Sequence, residues 1–163
     1  MNVYYPVPFL LRRKTFTQRM LDAFWHSHLA ARSDHGSYVS FCRFVNTIIN
    51  RSHASEGILE VALIYLLRVE HRSSGYMLDI SLPPQIIFLA MLIIASKSHY
   101  DQSPRNSTWA SYTRAYSGAS GYTLDDVNFA ERQMLTLLAW DTCVSELDLR
   151  QLLRALMTDG HQK

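Results

Sequence analysis

The stretch PPQIIFLAMLIIASK, residues 83–97, decides how the rest of the chain must be read. Ile86 to Ala95 are apolar without interruption. Pro83 and Pro84 precede them, where prolines belong at the start of a helix: the missing N–H groups have no intrahelical acceptor in the first turn. A helix that is apolar on every side has to be enclosed by other helices. The run is about half of the ~20 residues that a bilayer-spanning helix needs. It therefore predicts the central element of a helical domain, with Lys97 carried at its end.

Helical spacing continues in both directions. Upstream, Met20, Leu21, Phe24, Trp25 and His28 fall on one face of a helix over about Thr17 to Ala31. Phe41, Phe44, Val45, Ile48 and Ile49 stripe a second, about Tyr38 to Arg51. Ser55 can cap a third, which carries Leu59, Ala62, Leu63, Leu66 and Leu67 to about His71 before Ser73-Ser74-Gly75 breaks the pattern.

Downstream, Asn106 can cap a short helix holding Trp109, Tyr112 and Tyr116, and Ser117 to Gly121 reads as a flexible loop. Thr123 with Asp126 signals a capping box, and two acids suit the positive end of the helix dipole. That helix runs to about Trp140. Ser145 with Asp148 repeats the signature before a last helix with Leu149, Leu152, Leu153 and Leu156. Strand signals are almost absent, so the fold class is all-α.

At 163 residues the chain has room for one sizeable core, and 48% hydrophobic with 18% charged residues excludes a disordered polyelectrolyte. The net charge of +2 is too mild to argue for nucleic acid. Cys42 and Cys143, far apart in sequence, give neither a disulfide framework nor a metal quartet. The apolar Val7 to Leu11 precedes Arg12, Arg13 and Lys14, the reverse of a secretory signal. The basic trio reads as a solvated loop in preference to a nuclear address. A soluble nuclear or cytoplasmic protein is expected, with no membrane partner.

Enzyme motifs are missing. The six glycines fit neither a phosphate loop nor a dinucleotide fingerprint. Gly118-Ala-Ser-Gly121 is not a nucleophile elbow. His26 and His28, two apart on a helix, point in different directions and chelate poorly. Asp125 and Asp126 are a helix start, not an acid–base pair. No catalytic residue, metal or cofactor is expected.

Two charges stand where apolar residues are due. Glu131 interrupts the face of Val127, Met134 and Leu135, and Lys97 continues the stripe of Ala90, Ile93 and Ile94. A buried ion without partners costs several kcal/mol. Periodicity leaves two readings open: a salt bridge within the domain, or two charges flanking an apolar groove that receives another protein's helix.

The segment Tyr122 to Asp141, with Glu131, Leu135, Leu138 and a terminal Trp140-Asp141, resembles the fifth helix of a cyclin box. Phe88 to Lys97 is similar to the third helix of that box. Ser96-Lys97, Asp101, Asn106-x-x-Trp109 and Asp126-Val127-Asn128-x-x-Glu131 together resemble the fungal PCL-type cyclins, which partner the phosphate-pathway cyclin-dependent kinase. The resemblance covers about Tyr38 to Ser145.

It implies a single five-helix cyclin box over residues 37–145. An N-terminal segment with one amphipathic helix (1–36) would precede the box, and one extra C-terminal helix with a tail (146–163) would follow it. It also implies a regulatory subunit, not itself an enzyme, that binds and activates a cyclin-dependent protein kinase through the kinase's mobile regulatory helix. Lys97 and Glu131 fall on the two charged positions used for that contact, with Ile94 and Leu135 in the apolar floor. Tyr38-Val-Ser-Phe-Cys42 does not match the substrate-docking motif of cell-cycle cyclins, and Tyr38 and Leu67 replace their Arg–Asp pair. The competing readings are a cyclin-like scaffold that binds without activating, and a transcription-factor-type cyclin fold contacting DNA.

Overall fold

The computed structural model describes the backbone of residues 7–27, 37–73, 82–117 and 121–158, and side chains within 17–27, 37–72, 82–114 and 121–154. Seven helices follow in chain order: α1 (Val7–His26), α2 (Tyr38–Ser52), α3 (Glu56–Ser73), α4 (Pro84–His99), α5 (Asn106–Ser117), α6 (Leu124–Leu137) and α7 (Glu146–Thr158). No β-strand occurs among the described residues.

Helix α4 is the axle. Pro83 is its N-cap and Pro84 opens the helix, while Ile86 to Ser96 are all buried. Helices α1, α2, α3 and α6 pack around it, which is how an all-round apolar helix avoids water. Three neighbours contribute one stripe each: Met20, Leu21 and Phe24 from α1; Phe41, Phe44, Val45 and Ile48 from α2; Val127, Ala130, Met134 and Leu137 from α6. Helix α3 is buried more widely, with Val61 to Leu66 all enclosed. Phe24 meets Phe88 edge-on with ring centroids 5.2 Å apart.

Helix α1 begins at Val7, ten residues before the expected start at Thr17, and so takes in Arg12, Arg13 and Lys14. The expected loop is helix there. Periodicity marks only the turns that reach a core, and straight-chain basic residues extend a helix readily. The expected continuation to Ala31, with His28, lies outside the described residues, as do Gly118 to Ser120 of the loop. The Tyr38 hydroxyl ties α2 to α1 by donating to Asp22 at 2.7 Å. Burial and that bond hold its proton well above the usual phenol range.

Both capping boxes are formed. The Thr123 hydroxyl accepts from the Asp126 amide at 3.1 Å, and the Asp126 carboxylate accepts from the Thr123 amide at 2.8 Å. Ser145 and Asp148 repeat the exchange at 3.2 and 2.7 Å. Gly121, at φ +51°, brings the chain into α6; a Cβ there would lie 2.8 Å from the Arg114 backbone nitrogen, so only glycine fits. Beside it the buried Thr113 hydroxyl accepts from the Tyr122 amide at 2.9 Å. Burial, reinforced by Asp126, pushes the Tyr122 phenol up to about 12.

Helix α6 stops three residues earlier than its apolar pattern suggests. Ala139 and Trp140 turn left-handed at φ 52° and 59°, and the Trp140 amide returns to the Leu135 carbonyl at 2.9 Å. Helix α3 holds this turn. Arg72 donates to the Leu138 carbonyl and, at 3.0 Å, to Asp141 Oδ2. Arg68 bonds the Asp141 carbonyl at 3.2 Å and Asp148 at 3.1 Å, and the Tyr65 hydroxyl donates to the Thr142 carbonyl at 2.7 Å. Cys42 and Cys143 are free thiols.

Candidate functional site at the junction of α4, α5 and α6

The end of α4, the start of α5 and the middle of α6 meet at one place. Ile86 to Ser96 are buried on every side of α4, and Lys97 is the first position beyond the enclosed run. Its side chain remains 40% exposed. On α6 a one-sided buried stripe fixes the rotation. Leu124, Asn128, Glu131 and Leu135, spaced four, three and four apart, form the adjoining stripe at its edge.

There the Lys97 Nζ lies 2.6 Å from Glu131 Oε1, and Glu131 is 12% exposed. The second carboxylate oxygen is also engaged: Asn106 Nδ2 donates to Glu131 Oε2 at 2.6 Å and to Asn128 Oδ1 at 2.8 Å. A carboxylate held on both oxygens by a cation and an amide is the arrangement that lets an ion sit in a partly enclosed place.

Asn106 differs from its expected role. The amides of Thr108 and Trp109 bond the Arg105 carbonyl at 2.9 and 3.1 Å, so Arg105 stands at the cap position and Asn106 is the first residue inside the helix. Its side chain reaches across to α6. Local spacing gives no view of a partner 25 residues away, which is why the sequence suggests a cap. The Asn106-x-x-Trp109 pattern was the available signal. Trp109 is 1% exposed, stacked edge-on against Tyr112 at 5.6 Å, and anchors the helix that delivers Asn106.

The four residues singled out in the sequence occupy this junction unequally. Lys97 and Glu131 are brought together. Leu135 is half-buried one turn beyond Glu131, packed against the core and open on one side. Ile94, at 2% exposure, lies beneath the surface as part of the core. Leu124, 42% exposed at the start of the same α6 stripe, extends the apolar edge, and its position before the first charged residues of α6 hides it from a periodicity reading. Among the described residues no three His, Cys, Asp or Glu side chains gather as a metal site would require. No described helix is long and apolar enough to cross a membrane.

A junction of this kind offers donors and acceptors beside a strip of apolar surface, the means by which one helix is held against another. The family described as cyclin, N-terminal domain matches residues 38–143. PHO85 cyclin-1 of Saccharomyces cerevisiae is 46% identical over 77 residues, 45% of this chain and 26% of that protein. PHO85 cyclin-2 of the same yeast is 32% identical over 107 residues, 66% of this chain and 33% of its own length. PHO85 cyclin-9 is 28% identical over 106 residues, 65% of this chain and 33% of its own length. The chain thus spans about a quarter to a third of the length of these curated relatives. No solved structure matches it.

Proposed function

The chain belongs to the cyclin family, and from that membership we propose that it is a non-catalytic regulatory subunit that binds and activates a cyclin-dependent kinase of the PHO85 kind. The kinase's mobile helix docks on the junction of α4, α5 and α6. Lys97 donates to it, Glu131 accepts from it, and Leu135 supplies the apolar floor, with Ile94 buried beneath. Residues 37–145 form the docking domain. The work is done in the nucleus or cytoplasm.

The observation that carries this reading is the placement of Lys97. Paired at 2.6 Å to an enclosed carboxylate, it keeps 40% of its side chain open, and the half-buried Leu135 lies one turn along α6 from that carboxylate. A salt bridge made for stability alone gains little at such a place, about 0–1 kcal/mol. An ammonium has three donors, and Glu131 takes one.

The experiment is co-purification with the PHO85 kinase, followed separately by phosphorylation turnover. Complex formation with raised turnover supports the regulatory reading. Binding without a rise in turnover supports a scaffold instead. Salt-sensitive retention of DNA in a gel-shift assay supports the DNA-contacting alternative.

A further inference from the structure

We propose that Asn106 is the positioning residue of the Lys97–Glu131 pair: its amide locks the Glu131 carboxylate and so aims the Lys97 ammonium at a docked kinase. The inference rests on the kinase-docking reading above.

Both amide protons of Asn106 are committed, one to Glu131 Oε2 at 2.6 Å and one to Asn128 Oδ1 at 2.8 Å. The ionised carboxylate only accepts, so it dictates which way the amide faces; a flipped amide would turn Oδ1 against two oxygens. As a result Asn106 Oδ1 is buried without a hydrogen-bond partner. An unpaired buried acceptor is destabilising. Helix α5 does not use this side chain as a cap: Asn106 is its first residue, and its side-chain amide goes to α6. A residue that serves neither its own helix nor its own hydrogen-bonding balance marks a functional constraint.

The last torsion of a glutamate is broad and roughly two-fold. With Oε2 held by Asn106, Oε1 is left for Lys97 in one orientation, and the ammonium keeps two further donors for a partner. Without Asn106 the carboxylate can turn, take the ammonium on both oxygens, and draw it off the docking surface.

The test uses the full chain with purified PHO85 kinase as the probe, comparing Asn106→Asp and Asn106→Ala with the parent. In Asn106→Asp two carboxyls face each other. Beside the Glu131 carboxyl on α6, the neighbouring charged groups are Lys97 from α4 and Arg105, which directly precedes α5. Such a pair retains a proton as pH falls, and the protonated member donates again. Affinity per folded molecule should be about tenfold weaker than the parent at about pH 7.5, narrowing to about threefold or less at about pH 5.5. Asn106→Ala should be weakened by the same factor at both pH values.

A kinase-free reading accompanies it. The Asn106 side-chain amide, followed by nuclear magnetic resonance in the free chain, should exchange slowly and lose that protection in Glu131→Ala. If Asn106→Asp tracks Asn106→Ala with no narrowing while Glu131→Ala still weakens binding, the positioning role is overturned and docking stands. If the amide is protected yet neither Glu131→Ala nor Lys97→Ala changes kinase affinity, the docking reading fails, and the aim assigned to Asn106 fails with it.

Discussion

Glu131 keeps 12% of its side chain exposed while Lys97, 2.6 Å away, keeps 40%. The pair is therefore asymmetric: the acid belongs to the domain and the base to its surface. Removing Lys97 leaves Glu131 with Asn106 on one oxygen and water within reach of the other. Removing Glu131 strands the Asn106 amide proton.

That asymmetry gives the first prediction. Lys97→Ala should lower stability by about 0–1 kcal/mol, and Glu131→Ala by about 1–3 kcal/mol. Kinase affinity should fall for both by about 5- to 100-fold, the equivalent of about 1–3 kcal/mol, because a partner group is left buried without its hydrogen bond. Leu135→Ala should weaken binding as well, through lost apolar burial. Affinities measured beside denaturant midpoints decide the matter. Large losses of stability with unchanged affinity per folded molecule would return both charges to a purely internal role.

Trp109 supports the site from below, so its loss should be felt in folding. At 1% exposure, Trp109→Ala should cost about 3–5 kcal/mol. Its indole N–H is buried without an acceptor, so Trp109→Phe removes an unsatisfied donor along with some volume. That variant should cost less than about 2 kcal/mol. Equal losses for the two in chemical denaturation would show that the indole nitrogen contributes to stability.

How much of this was legible in the sequence follows from the range of the forces. Ile86 to Ala95 announces the enclosed helix because solvent exclusion acts on composition along one segment, and the two capping boxes act across three residues. Lys97 and Glu131 were visible as charges on apolar stripes. The arrangement around them was not: Asn106 turns to a carboxylate 25 positions away, and Ile94 is enclosed with the rest of α4 by helices distant in sequence. The early stop of α6 was hidden for another reason. Ala139 and Trp140 adopt left-handed backbone without glycine, held by contacts to Arg72 and Arg68 from far upstream.

The capping boxes predict how the fold responds to acid. Hydrogen bonds from the Thr123 side chain and backbone hold the Asp126 carboxyl below its usual range, and Ser145 does the same for Asp148. A depressed carboxyl contributes stability that is present above its unfolded pKa, near 3.8, and lost as pH falls through the lower folded value. Melting temperature should hold above about pH 5 and decline below about pH 4. Asp126→Asn should remove about 0.3–1.5 kcal/mol at neutral pH and flatten that decline. A decline of unchanged steepness would exclude Asp126 as a contributor.

The last prediction concerns Arg68, through which α3 reaches both the turn after α6 and the start of α7. Its guanidinium lies 3.1 Å from Asp148 Oδ2, 3.2 Å from the Asp141 carbonyl and 3.7 Å from Asp141 Oδ1, with the side chain 19% exposed. A planar fork serves several acceptors at once, whereas a lysine offers a single point of charge. Arg68→Ala should therefore cost about 1–3 kcal/mol. Arg68→Lys should recover less than half of that, despite keeping the charge. The turn also begins where Leu135 ends its exposed face, since the Trp140 amide bonds the Leu135 carbonyl at 2.9 Å. Hydrogen exchange at Trp140 and Asp141 should accelerate in both variants, while exchange in the middle of α4 changes only by the global loss of stability. If Arg68→Lys matches the parent in both measurements, simple charge holds the turn and the fork geometry is immaterial.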